Sequence, residues 1–305
     1  MAHDVPDAAI PRRTLVETMA VVPAHAFFLV SAVFHYLGPA FAVLLFAHVP
    51  VLGVAWLRIA SAALVFALWR KPWRRLAGWS AGQRRTLVAL GVVLGAMNAT
   101  FYLAIARLPL GTVGAIELLG TIVLAALGAR TRRNGAALGL AVLGVGLLSD
   151  ARLAGEPVGL ALAFANAALF VLYVVLGHRI ARDGGDGIDR LGAAMLVTLV
   201  AVSPVGFLDV VGALGDPRLV LAGIGVGVCS SVIPYVTDQL AMARLPRATF
   251  ALLLATLPAW ATLVGAAVLR QIPAPVEVAG VALVVAGVAV HRQPVAHPAA
   301  SGNRR

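Results

Sequence analysis

The chain has 305 residues, 61% of them hydrophobic and only 12% charged, with a mean hydropathy of +0.94. A water-soluble domain is nearer half apolar and a quarter charged, so the composition excludes a globular protein and points to an integral membrane one. The net charge of +11 would suggest a nucleic-acid partner in a soluble protein, but its distribution along the chain, below, excludes that reading.

A polar lead, residues 1–23, carries Asp4, Asp7, Arg12, Arg13 and Glu17. No charged n-region with a small-residue cleavage site precedes the first apolar run, so no removable signal peptide is expected. Ten candidate membrane helices follow, at 24–46, 50–69, 85–106, 109–129, 134–150, 157–179, 190–211, 218–240, 246–269 and 274–292. Each run is near helix length and lacks the ten-residue alternation of a barrel strand. The tail 293–305, with two prolines and a final Arg304-Arg305, has the composition of a disordered segment. Cys229 is the single cysteine, which excludes an intramolecular disulfide and any cysteine-cluster metal site.

Nineteen of the 24 Lys and Arg residues fall on the side of the N-terminus when the runs alternate direction. Four fall on the other side (Arg107, Arg152, Arg218 and Arg270), and Arg58 alone lies within a span. Positive charge retained in short loops marks the cytosolic face. Both termini are therefore expected in the cytosol of a bacterium, with the protein in its inner membrane. The count also favours ten spans, because one more or fewer would mix the two sets.

The chain repeats itself: Leu103-Ala-Ile-Ala-Arg-Leu-Pro109 and Leu240-Ala-Met-Ala-Arg-Leu-Pro246 match at six of seven positions, 137 residues apart. Each copy precedes two more spans, so each half, 24–150 and 157–292, holds five. An odd number per half makes the second enter the membrane the opposite way. The expected fold is all-α: ten transmembrane helices as two inverted five-helix repeats, with a substrate site near the midplane where the repeats meet. The GxxxG pairs Gly91/Gly95, Gly135/Gly139 and Gly223/Gly227 are expected to let neighbouring helices approach closely.

Arg58 lies eight residues after Pro50, and Glu117 eight after Pro109. At about 1.5 Å per residue both sit roughly 12 Å below the same membrane surface. Charges there are costly and need a partner or a task. Three readings stay open. The two form a structural ion pair; or they hold the ends of a zwitterion, Arg58 the carboxylate and Glu117 the ammonium; or Glu117 is alternately protonated and couples transport to a proton gradient. Gly114, Gly120, Thr121 and Gly128 give the Glu117 helix a small face, fit for a cavity or for tight packing. Asn98 and Tyr102 share a face of span three, Asn166 and Tyr173 one of span six, as site groups or inter-helix hydrogen bonds. Ser231, Tyr235 and Asp238 share a face of span eight, where Pro234 can break the helix. Arg244 or Arg247 could neutralise Asp238, which is otherwise a second coupling candidate. His35, Tyr36 and His48 lie in span one without the spacing of a metal site.

The phosphate-binding, nucleophile-elbow and zinc-hydrolase motifs are missing. No enzymatic activity, cofactor or metal is expected, and transport would run on a gradient or by exchange.

WLRIASAALVFALWRKPWR (56–74), GAMNATFYLAIARLPLGTVGAIE (95–117) and IPYVTDQLAMARLPRATF (233–250) resemble the EamA-type branch of the drug/metabolite transporter superfamily, most of all its threonine/homoserine exporters. The likeness covers roughly 24–292. It implies a ten-helix inverted-repeat exporter of small metabolites, amino acids in particular, working by alternating access. Arg58, Asn98, Tyr102, Glu117, Tyr173 and Tyr235 match its pattern, and Asp238 stands where a glutamate is usual. Gly120-Thr121 replaces a Gly-Pro, Leu257-Pro258 a Glu-Pro, and Arg270-Gln271 a Gly-Glu. Two acidic positions are thus gone, so hydrophobic amines or cationic drugs are an alternative cargo. A sensor or intramembrane enzyme is the alternative from another class. Neither a nucleic-acid partner nor an oligomeric state is implied.

Overall fold

The structure is a computed structural model and describes residues 23–128, 131–153, 156–182, 187–242, 253 and 256–290; the lead, the tail and the 243–252 segment lie outside them. Among the described residues there is no strand. The helices are α1 (Ala24–Leu45), α2 (Val51–Arg70), α3 (Ala81–Ile105), α4 (Leu110–Gly128), α5 (Arg132–Leu153) and α6 (Pro157–Arg182). They continue as α7 (Gly187–Val210), α8 (Pro217–Gly227), α9 (Ile233–Met242), α10 (Leu257–Leu269) and α11 (Pro275–Val290). A π turn, Val228–Val232, joins α8 to α9 without a break. Five helical stretches have the length and apolarity to cross a membrane alone: His25–Leu45, Val51–Arg70, Ala81–Ile105, Asp189–Gly215 and Pro217–Asp238.

Helix ends follow local chemistry. Pro50 sets the start of α2, where a missing N–H is harmless. Ser80 and Gln83 form a capping box that starts α3 four residues before its apolar run. Lys71 and Arg270 end α2 and α10 in the left-handed region at φ 48° and 56°, a conformation that turns the chain sharply.

Lipid is as apolar as the side chains, so helices associate through close packing and inter-helix hydrogen bonds. Gly91 and Gly95 of α3 sit against Val197 and Val202 of α7, and Gly223 of α8 against Leu57 of α2. Thr198 of α7 donates to the Gly91 carbonyl at 3.0 Å, and Trp56 of α2 to Ser203 of α7 at 2.9 Å. Helices α5 and α11 pack on one another through Gly144, Gly280 and Gly287. A Cβ added at Gly144 would lie 2.5 Å from the Gly280 carbonyl oxygen, and one at Gly287 would lie 2.7 Å from that of Ala137. Arg133 closes one end of this pair on the Val290 carbonyl. The expectation for Gly135/Gly139 fails: both face open space, because the contact with α11 runs along the Gly144 face instead. The largest buried cluster gathers at α1–α4 and α10 around Tyr36 and Tyr102, 1% and 0% exposed.

Candidate functional site

Arg58 projects from α2 toward the π turn. Its Nε donates to Ser231 Oγ at 3.1 Å and its Nη2 to the Ser230 carbonyl at 3.3 Å. Its guanidinium lies 5.3 Å from the centre of the Tyr102 ring on α3, a cation–π contact. The π turn comes this close to its neighbours because Gly38 of α1 faces it and Gly227, at its leading end, lies against α2. A Cβ at Gly38 would collide with Ser230, and one at Gly227 with Ser61 Oγ and the Arg58 carbonyl.

Glu117 sits on α4, 8% exposed, and its Oε1 accepts from Asn166 Nδ2 of α6 at 3.2 Å. Gly120 makes this contact possible: a Cβ there would stand 2.8 Å from the Ala167 carbonyl oxygen, holding α6 away. One turn earlier, Gly114 lies under the Tyr36 hydroxyl of α1. The small face of α4 is thus filled at both described glycines. Thr121 and Gly128 are in α4, but their side-chain surroundings fall outside what the structure describes.

The ion-pair reading is corrected by this geometry. Arg58 bonds to Ser230 and Ser231, Glu117 to Asn166, and no ion pair joins the two. They remain close enough to interact electrostatically, and Tyr235 of α9 interacts with both. Asp238 and Tyr173 lie within electrostatic reach of Tyr235, and Ser31 of α1 lies beside the Asp238 carboxylate. The residues proposed to neutralise Asp238, Arg244 and Arg247, lie outside the described ones. Four buried oxygens here have no hydrogen-bond partner: Asn98 Oδ1, Asn166 Oδ1, Asp238 Oδ1 and the Tyr102 hydroxyl. Asn98 Nδ2 does bond, to the Ala55 carbonyl at 3.2 Å, and the Tyr102 hydroxyl faces Ser230 and Arg58 without closing a full bond.

The structure therefore brings Arg58, Tyr102, Glu117, Asn166, Tyr173, Tyr235 and Asp238 toward one region from α2, α3, α4, α6 and α9. Asn98 is one turn from Tyr102 and turns its amide to α2. Sequence reasoning missed three contributors. Ser230 faces Arg58 through its backbone, a role no side-chain pattern displays. His35 and Tyr36 carry no role in the sequence beyond the absence of metal-site spacing, yet His35 interacts with Arg58 and Tyr36 with Glu117. A His-Tyr pair amid the apolar residues of one span was the available signal.

The two positions where acids are absent lie elsewhere. Leu257 packs into the core at 9% exposure. Gln271 follows the Arg270 turn, and its Oε1 accepts the Leu110 N–H at 3.1 Å, capping α4 from the other half of the chain. It lines a cavity of about 370 Å³ with Thr112, Thr262 and Glu277, at the end of the bundle carrying the Arg107–Pro109 turn.

Residues 157–292 match the EamA-like transporter family. Over 255 residues the chain is 31% identical to the threonine/homoserine exporter RhtA of Escherichia coli (strain K12), covering 82% of this chain and 84% of that one. The threonine/homoserine exporter RhtA of Salmonella typhimurium (strain LT2) is 30% identical over 252 residues, with the same coverage. A solved crystal structure aligns with TM-score 0.58 at 21% identity, covering 87% of this chain and 96% of that one, a likeness of fold.

Proposed function

The chain belongs to the EamA-type transporters, multi-pass membrane proteins, and on that premise we propose that it exports small zwitterionic amino acids of the threonine and homoserine kind. The two halves, 24–150 and 157–292, act as inverted five-helix repeats that alternate access to a site between them. Both termini face the cytosol of the inner membrane, and no chemical conversion is catalysed.

One observation carries the substrate class. Two opposite charges in the span region, Glu117 buried and Arg58 half-buried, are held apart on neutral partners rather than on each other. Separating such charges in a medium of low dielectric is costly, and a zwitterion bridging them offsets that cost. Arg58 keeps donor capacity for a carboxylate, and Glu117 with the orphan oxygens of Asn98, Asn166 and Asp238 accepts from an ammonium. Asn98, Tyr102, Thr121, Asn166, Tyr173 and Tyr235 shape the rest of the site. Glu117 and Asp238 are the groups that would carry a proton in exchange. Export of hydrophobic cations is favoured by the three tyrosines and two carboxylates, and opposed by the fixed charge of Arg58.

Purified protein in liposomes tests this. The expected result is movement of threonine or homoserine, with much weaker movement of the methyl ester, which lacks the carboxylate, and of the N-acetyl form, which lacks the ammonium. Arg58→Ala is expected to abolish the preference for the free acid. Equal transport of acid and ester by the unaltered protein would overturn the zwitterion reading; transport of cationic drugs alone would replace it.

A further inference from the structure

In a regular helix the carbonyl of residue 230 accepts the N–H of residue 234. Residue 234 is proline, which has no N–H. Its neighbour Ile233 bypasses the Cys229 carbonyl and sends its N–H to Val228, closing the π turn. The Ser230 carbonyl instead accepts Arg58 Nη2 at 3.3 Å, while Ser231, 0% exposed, takes Nε. The turn is fixed from both sides by the close approaches at Gly38 and Gly227. Residue 97, at the equivalent place in the sequence repeat, is methionine with its N–H intact, and α3 runs through it as an unbroken helix.

We propose that Pro234 is a positioning residue of the site: by withholding a backbone donor it frees the Ser230 carbonyl to orient Arg58, and so makes the carrier selective for a carboxylate. The selectivity clause rests on the zwitterion reading; the link from Pro234 to Arg58 does not. Two N–H groups of the guanidinium fork, on Nε and Nη2, are then held by one turn, so its remaining N–H groups point in a fixed direction. A proline acting only as a kink would need no carbonyl acceptor.

The test has two readouts. Pro234→Ala restores the donor and is expected to raise the KM for threonine about tenfold, the worth of one charge-assisted hydrogen bond. The methyl ester is expected to be moved as before. Placing lactic acid at 234, a backbone ester that again lacks the N–H, is expected to restore the low KM. If the ester variant behaves as alanine does, or if both substrates are affected equally, the proposal is overturned. Independently of transport, a thermal-unfolding cycle of Pro234→Ala and Arg58→Met in detergent is expected to be non-additive. Additive melting shifts overturn the Pro234–Arg58 link. If instead the unaltered protein fails to distinguish acid from ester, the zwitterion reading falls and the cycle alone decides that link.

Discussion

Glu117→Gln separates charge from structure at one position. Glutamine keeps an oxygen that can accept the 3.2 Å bond from Asn166 Nδ2, and its volume matches. Packing against Gly114, Tyr36 and α6 should therefore survive. What is lost is the negative charge. A hydrogen bond to a charged group contributes about 1.5–3 kcal/mol against about 1 for a neutral one. At 8% exposure the direct attraction to an ammonium is screened little, and it adds roughly another kcal/mol after desolvation. A total of about 1.5–3 kcal/mol corresponds to a loss of about 10- to 150-fold in kcat/KM for threonine. The assay is uptake into liposomes of matched protein content, beside thermal unfolding in detergent. The melting midpoint is expected to hold or rise, since burying a neutral amide costs less than burying a carboxylate. Transport within threefold of the unaltered protein, at unchanged melting, would refute Glu117 as a ligand.

Three more expectations follow from the geometry. Asp189→Asn weakens the 2.6 Å ion pair with Arg70, whose aspartate side chain is 3% exposed; a loss of about 1–3 kcal/mol should appear as a lower melting midpoint without change in KM. Gly227→Ala drives a Cβ into Ser61 and the Arg58 carbonyl and is expected to cost about 1–3 kcal/mol, read as lower yield and melting, whereas Gly135→Ala, facing open space, should be neutral. Fluorescent-protein fusions to either terminus should fluoresce and alkaline-phosphatase fusions there should stay inactive; the opposite pattern would overturn the charge-based orientation.

The helices were legible because the membrane imposes one rule, about twenty apolar residues, on every span. The ends were less so: α3 begins at Ala81 because the Ser80–Gln83 box extends the helix into polar surroundings beyond any apolar window. The places of Arg58 and Glu117, each eight residues into its helix, could be counted from Pro50 and Pro109. Their partners could not, since depth along a helix says nothing of azimuth, and the Asn166–Glu117 contact depends on Gly120 admitting α6. Pro234 marked where the span would depart from regularity. Whether proline breaks a helix or is absorbed in a wider turn depends on donors from other helices, and here Arg58 supplies one to the freed carbonyl. The glycine pairs were a mixed guide, because GxxxG marks a face narrow enough for contact without saying that a helix lies opposite.

The pair α5 and α11 holds none of the residues assigned to the site, and its backbones meet with no room for a methyl group at Gly144, Gly280 or Gly287. For anyone redesigning the carrier, this divides the chain into two kinds of position. A library aimed at new cargo belongs on the inward faces of α2, α3, α4, α6 and α9, where variation alters polarity. Variation along the α5–α11 seam would consume folded protein and return no change in selectivity, so that seam is best left as found.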